Sequence, residues 1–304
     1  MKVLVTGGAG FIGSHVVDGC LAAGHDVVVV DDLSTGKRSN LDPRARLHEA
    51  DLVDQPAVER IVADERPEVI CHLAAKANVR ESMAEPVLYA RVNILGSLSV
   101  LEAARRYGVR KVVYASTGGA VYGEPEYLPV DEQHPIKPVD PYGASKHHVE
   151  HYLFIYGLHF GVDYTILRYP NVYGPRQDPF GEAGVVAIWT ERMLHGKKVI
   201  INGSGDQQRD FCYVGDVARG NVLALTHGSR EIYNLGTGVG SSINQVYALL
   251  REATGYEGAE VHGPAKQGEV LRTWLNVDKA RQGLGWEARV PLREGLQMTV
   301  DAFR

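Results

Sequence analysis

The chain has 304 residues, 44% of them hydrophobic and 23% charged, with a net charge of −5. That length accommodates one large α/β domain or a large domain with a smaller lobe. The acidic balance argues against nucleic acid as a main partner but leaves room for an anion held by a few local cations.

Residues 1–6 (MKVLVT) read as a short strand ending at glycines, 11–23 as an apolar-periodic helix closed by Gly24, and 26–30 (DVVVV) as the next strand. This is a βαβ unit. Residues 69–73 and 111–115 are continuously apolar and read as buried parallel strands. Between them 86–107 has helical periodicity and ends at Gly108; 142–160 is a further helix ending at Gly161, and 164–168 a strand. The alternation predicts an α/β fold with a doubly wound, Rossmann-like parallel sheet. Residues 170–184, rich in Pro, Gly and Asn, read as a loop. A helix at 185–194 and a strand at 198–201 follow, then short, glycine-punctuated elements to Arg304. The expected division is a large domain over 1–170 and a smaller α/β lobe over 171–304, with later chain crossings back to the first. Cys20, Cys71 and Cys212 form no C-x-x-C pair and read as small buried hydrophobes of a reducing cytosol, not as a disulfide framework or zinc site. No cleavable leader and no apolar run of transmembrane length is visible, so a cytoplasmic protein with no membrane partner is expected.

Thr6-Gly7-Gly8-Ala9-Gly10-Phe11-Ile12-Gly13 joins the first strand to the first helix. Gly7 permits the tight turn, Gly10 lets the backbone approach a pyrophosphate, and Gly13 allows close helix–strand packing. The helix N-terminus presents unpaired N–H groups to the phosphates. A ligand-free turn can show the same spacing, but Asp31 at the end of the second strand agrees with the strand and helix on a dinucleotide site, making 1–170 an NAD-binding domain. A carboxylate there accepts from ribose hydroxyls and repels a 2′-phosphate, which favours NAD over NADP. Asp32 adds to that repulsion or is a solvated loop residue. Asp51, before Leu52, is read either as lying near the adenine amino group or as a helix N-cap or turn acid.

Tyr142 and Lys146 lie four residues apart at the start of a helix, so phenol and ammonium converge on one face. A nearby cation lowers the phenol pKa from about 10, and a tyrosinate can accept a hydroxyl proton as hydride leaves the same carbon. Ser116 and Thr117, at a strand end, offer hydroxyls to share that proton, or simply belong to a turn.

These residues resemble the extended short-chain dehydrogenase/reductase family, and within it the UDP-glucose 4-epimerase branch. The resemblance runs through TGGAGFIG (6–13), DDLSTG (31–36), DL (51–52), HLAAKANVRES (72–82), VN (92–93), STGGAVYG (116–123), PYGASK (141–146), RYPNVYGPRQDP (168–179) and RDFCYVGDVA (209–218). It implies that hydride passes from sugar C4 to a tightly held NAD+ while Tyr142 takes the O4 proton, that the 4-keto sugar swings, and that hydride returns to its other face. Lys146 would hold the nicotinamide ribose. The cofactor site would comprise Gly7, Gly10, Phe11, Ile12, Gly13, Asp31, Asp32, Ser34, Thr35, Gly36, Asp51, Leu52, Leu73, Ala74, Ala75, Lys76, Asn93, Ser116 and Tyr169. The UDP-sugar would meet Lys76, Thr117, Tyr142, Asn171, Gly184, Val185, Val186, Arg209, Phe211, Lys266, Glu269 and Arg272. Helices around 85–107 and 142–160 carry apolar residues beyond one stripe, and the resemblance implies that they form a homodimer interface; the alternative is that the monomer core occupies both.

Three positions depart from the family pattern. Gly118 stands where a Ser or Thr is usual, leaving Thr117 or Ser116 to supply the hydroxyl, or Tyr142 to act almost alone. Lys266-Gln267-Gly268-Glu269 replaces R-x-G-D, keeping the charges but losing the guanidinium fork, with Arg272 as an alternative phosphate contact. Thr273 stands where a bulky residue excludes N-acetyl groups, so N-acetylated hexoses are expected to fit. Gly118-Gly119 also replaces the Asp-Glu pair that 4,6-dehydration needs. A decarboxylase, a net reductase and an NAD-sensing binding protein remain competing readings, the last weakened because Tyr142 and Lys146 are both present.

Overall fold

The computed structural model describes residues 1–180, 184–265 and 270–304. The first part runs β1 (Lys2–Thr6), α1 (Phe11–Ala22), β2 (Asp26–Asp31), β3 (Arg46–Glu49), α2 (Gln55–Glu65) and β4 (Val69–His72). There follow α3 (Val79–Ala84), α4 (Pro86–Tyr89), a π-helical stretch (Ala90–Leu95), α5 (Gly96–Tyr107), β5 (Lys111–Thr117), α6 (Pro141–Phe160) and β6 (Asp163–Tyr169). The remainder comprises β7 (Asn171–Tyr173), α7 (Val185–Leu194), β8 (Ile201–Asn202), β9 (Gln208–Arg209), β10 (Phe211–Tyr213), α8 (Val214–Ala224), β11 (Glu231–Asn234), β12 (Ser241–Ser242), α9 (Ile243–Thr254), β13 (His262–Gly263), β14 (Arg272–Thr273), α10 (Asp278–Leu284) and α11 (Leu292–Phe303).

Seven parallel strands in the order β11-β6-β5-β4-β1-β2-β3 form the central sheet. Strand alternation sends Val3 and Val5 into one core, with Val16 and Val17 of α1 and Val217 of α8. Leu4 enters the other, with Val58 of α2, Leu101 of α5 and Leu153 of α6. The sheet is therefore covered on both faces, which is why its inner strands β1, β2 and β4 are mostly apolar, whereas the edge strand β3 (RLHE) is not. The chain returns to it after residue 170, supplying β11 and α8. A third core gathers Trp189, Tyr247, Leu250 and Leu296 around α7, α9 and α11.

Three sequence expectations are corrected. The strand expected at 198–201 is only β8, because its parallel partner β13 offers a two-residue ladder. The C-terminal helices are not short: α8, α9 and α11 have eleven or twelve residues. Ile243, Val246, Tyr247 and Leu250 of α9, at helical spacing, bury one face. By length and composition, Pro86–Tyr107 is apolar enough to cross a membrane, although half of that window is buried in the fold.

Candidate active site

The strand order reverses between β1 and β4, and doubly wound sheets bind ligands at the carboxyl ends of the strands there. A cleft of about 270 Å³ opens at that point. Phe11 and Ile12, Ser116 and Thr117, Tyr142, residues 169–173, Gly184 to Val186 and Phe211 all line it. A more open depression of about 420 Å³ lies over α9, between Asn244 and Glu260, and contains none of the motif residues.

The glycine turn is built for close approach. Gly7 adopts φ 68°, and a Cβ there would stand 2.7 Å from Ala74 N. A Cβ on Gly13 would lie 2.0 Å from Gly7 O; one on Gly10 would meet that oxygen at 3.2 Å and nothing else within 4 Å. Gly10 begins α1 with no side-chain cap, so the first N–H groups of the helix, beside Phe11 and Ile12 in the cleft wall, lack intrahelical acceptors. Such a cradle fits a pyrophosphate. Asp31 is buried and accepts from Ala9 N and Leu33 N, each at 2.9 Å. Burial raises its carboxyl pKa against those two donors. Asp32 is exposed and accepts from Ser34 N and Oγ; Thr35 is exposed, and Gly36 packs on Asp31. Asp51 forms an exposed turn, accepting from Val53 N. It is not the helix N-cap: α2 starts at Gln55, and Asp54 caps it by accepting from Ala57 N at 3.1 Å. Leu52 is buried.

Leu73 and Ala74 donate their N–H groups to Thr6 Oγ1, both at 3.2 Å. Ala75 and Lys76 continue that half-buried loop. Lys76 Nζ pairs with Glu81 at 3.3 Å. Asn93, within the π-helical stretch, is fully engaged: Oδ1 accepts from Lys76 N, and Nδ2 donates to Lys76 O and to Ser145 Oγ. Its side chain thus brackets the cofactor loop to the catalytic helix and has no donor left for a ligand.

Asp140 caps α6 by accepting from Gly143 N at 2.7 Å, and Pro141 preorganises the first turn that carries Tyr142 into the cleft. Lys146 is 4% exposed, and its ammonium stands 4.4 Å from the centroid of the Tyr114 ring. Burial drives its pKa down to about 7, with Glu150 pulling the other way. The two candidate hydroxyls are distinguished by their partners. Ser116 Oγ donates to Glu150 Oε1. Thr117 also lines the cleft, and its hydroxyl bonds to none of the described residues, so it is the one able to donate to a sugar oxygen. Gly118 packs on Leu275: a Cβ there would lie 2.7 Å from Leu275 Cδ1, so a Ser or Thr would have to displace the end of that side chain.

Sequence reading missed the charged network behind this wall. Arg168 Nε and Nη2 clamp the two oxygens of Glu150, at 2.9 and 2.6 Å, and Nη1 donates to Tyr122 OH at 2.8 Å. Burial raises the Glu150 pKa, but its bonds with Arg168, His147 and Ser116 outweigh that and hold it at about 2. The available signal was spacing, since Glu150 follows Lys146 by one helical turn.

On the substrate side, Tyr169 OH donates to Asn221 Oδ1 at 2.9 Å and its residue lines the cleft. Asn171 is held by its N–H on Asp210 O. Gly184 is the N-cap of α7 without a side-chain cap, so Val185 and Val186 present a second open helix N-terminus. Arg209 Nη1 donates to Gln208 O at 2.8 Å, outside the enclosed cleft. The β14–β9 register sets Thr273 beside Arg209 and Arg272 beside Gln208. Lys266 and Glu269 lie outside the described residues, as does the whole K-Q-G-E departure.

Residues 3–236 match the model of the NAD dependent epimerase/dehydratase family. A putative UDP-glucose 4-epimerase of Methanocaldococcus jannaschii is 46% identical over 98% of this chain and 97% of its own. The chain belongs to the NAD dependent epimerase/dehydratase family. Its fold superposes on the crystal structure of the Thermotoga maritima UDP-glucose 4-epimerase with UDP-glucose at a TM-score of 0.98, with 50% identity over 100% of this chain and 99% of that one. The Thermus thermophilus UDP-glucose 4-epimerase, in complex with NAD, superposes at 0.95 with 47% identity over 100% and 99%. In this epimerase/dehydratase member the cofactor is NAD, and the glycine turn with its open helix N-terminus fits the pyrophosphate of such a group. Among the described residues no cluster of three metal-ligating side chains occurs.

Proposed function

We propose that this chain interconverts UDP-glucose and UDP-galactose by transient oxidation at sugar C4. The observation that carries this reading is the meeting, in one cleft, of Phe11 and Ile12 at the start of α1, Tyr142, the Thr117 hydroxyl, which bonds to none of the described residues, and the open N-terminus of α7, with Lys146 buried one helical turn along α6. NAD supplies a hydride acceptor that later gives the hydride back. Lys146, as a cation, favours the tyrosinate form of Tyr142, which takes the O4 proton and returns it. Thr117 orients O4 by donating to it. The α7 N-terminus, Asn171 and Arg209 hold the diphosphate and nucleoside end, leaving the sugar free to present either face. Dehydration lacks its acid and base at Gly118-Gly119. Thr273 is small, so N-acetylated hexoses also fit.

The test is incubation of purified protein with UDP-galactose, and separately with UDP-N-acetylgalactosamine, without added reductant. The epimer of unchanged mass is expected from each. Loss of carbon dioxide or stoichiometric NADH consumption would replace this activity with decarboxylation or net reduction. Conversion of the first substrate alone would remove the N-acetyl claim. We further propose a cytoplasmic homodimer, paired through the exposed apolar side chains of α4, the π-helical stretch and α6; the three free, buried thiols suit a reducing compartment.

A further inference from the structure

A run of buried and half-buried hydrogen bonds, passing through Asn93 from its backbone carbonyl to its side-chain amide, joins the dinucleotide turn to the first turn of α6, and the direction of each bond is fixed. Thr6 Oγ1 accepts from Leu73 N and Ala74 N, so its own hydrogen is free for His72 Nδ1, 2.7 Å away. His72 Nε2 lies 2.8 Å from Ser97 Oγ. Ser97 Oγ donates to Asn93 O, so it must accept from His72. Asn93 Nδ2 donates to Ser145 Oγ at 2.9 Å, and Ser145 Oγ donates to Tyr142 O at 2.7 Å. His72 is therefore a neutral imidazole with its hydrogen on Nε2, an acceptor toward the turn and a donor toward the helix. Burial holds it neutral, helped by the nearby Lys146. The other groups facing it are the Tyr114 ring, 5.5 Å away, and the hydroxyls of Thr6 and Ser97.

We propose that His72 is a positioning residue that sets Tyr142 relative to the dinucleotide turn, through Ser97, Asn93 and Ser145. The inference deepens the epimerase reading and rests on it for its turnover measurement. The turn that would hold the cofactor's pyrophosphate and the proton acceptor Tyr142 stand on different elements, β1–α1 and α6, and hydride transfer would depend on how the two are set relative to each other. One directed chain ties both to the end of β4. An imidazole is suited to the middle because its two nitrogens accept on one side and donate on the other.

The two halves of that role can be separated. In His72→Asn the amide oxygen takes the Nδ1 place and keeps the bond from Thr6, while the link to Ser97 is lost. In His72→Gln the amide nitrogen takes the Nε2 place and keeps the bond to Ser97, while the link to Thr6 is lost. For His72→Asn and for Ser97→Ala we expect wild-type NAD stoichiometry, kcat lower by about 10-fold, the loss expected from about one hydrogen bond, KM within ~2-fold of wild type, and faster amide exchange in the first turns of α6. For His72→Gln we expect reduced NAD stoichiometry, but kcat per bound NAD within ~3-fold of wild type and unchanged exchange in α6. The proposal is overturned if His72→Asn and Ser97→Ala keep both wild-type kcat and wild-type exchange. It is also overturned if all three variants lose NAD, turnover and thermal stability in parallel, as a purely structural residue would. Wild-type turnover is measured alongside. A wild type that does not interconvert the sugars removes the epimerase reading, while NAD stoichiometry and amide exchange in the variants still judge the relay.

Discussion

At the residue scale, the proton chemistry divides unequally between two hydroxyls and a phenol. Tyr142→Phe removes the base and is expected to lower kcat by about 10³-fold. Thr117→Val is expected to cost about 10-fold, the value of one hydrogen bond in the transition state, whereas Ser116→Ala should cost less than ~3-fold, because that hydroxyl already serves Glu150. Steady-state kinetics with UDP-galactose decides the order; a larger loss for Ser116→Ala than for Thr117→Val would move the catalytic hydroxyl to Ser116. Lys146 makes a pH-dependent prediction. In the fold its ammonium loses its proton near pH 7, against an ordinary value of 10.5. Between those values the unfolded chain binds more protons, so this group makes stability rise with pH across the window, and below pH 7 the fold carries the full cost of a buried cation. Lys146→Met should therefore raise the Tm of NAD-free protein at pH 6 by at least ~3 °C, with the gain vanishing near pH 10, while abolishing most turnover. Calorimetry across that range checks the sign, and a Tm gain that grew with pH would refute it.

At the element scale, the glycine turn separates packing from binding. The Cβ of Gly13→Ala would lie 2.0 Å from Gly7 O, so the turn itself must shift. Gly10→Ala meets that oxygen at 3.2 Å, a neighbour that has only to give slightly, while its methyl would crowd a pyrophosphate approaching the turn. Gly13→Ala is expected to lower Tm by several degrees and lose NAD together; Gly10→Ala should lose NAD with a Tm change, in NAD-free protein, of under ~2 °C. NAD content by absorbance and a thermal melt read both. This turn was legible in the sequence because backbone constraint leaves glycine as its signature, and Tyr142 and Lys146 were legible because four residues make one helical turn. The end of β5 was only half legible: the motif marked Ser116 and Thr117, but the choice between them depends on Glu150, and Gly118 depends on Leu275, distant in sequence. Asn93 was marked as a cofactor residue, yet its amide is spent on Lys76 and Ser145, a pairing no local pattern encodes. The long C-terminal helices escaped because glycines at their ends were read as interruptions rather than caps; Gly255, left-handed at φ 71°, ends α9.

At the scale of the whole molecule, an apolar surface stands uncovered among the described residues. Val87 of α4, Leu95 of the π-helical stretch, and Phe154 and Leu158 of α6 are exposed by half or more. These segments pack side by side, and Phe154 and Leu158 fall on one helical stripe. Val87 and Leu95 also contribute to the apolarity of Pro86–Tyr107, a segment that resembles a membrane span by length and composition and of which half is buried in the fold. A two-fold pairing of this face with itself would bury it in a four-helix layer without leaving an open edge. Such a layer would also brace α6, whose first turn carries Tyr142 and Lys146, so dissociation should cost activity as well as stability. Phe154→Glu combined with Leu158→Glu places like charges across the dyad and should convert the protein to a monomer at micromolar concentration. Sedimentation equilibrium reads the mass directly. The wild-type Tm should fall on dilution, whereas the variant's should not depend on concentration, because only an associating fold gains stability by mass action. A wild type that sediments as a monomer at these concentrations would leave the apolar face to some other partner and detach it from the catalytic argument.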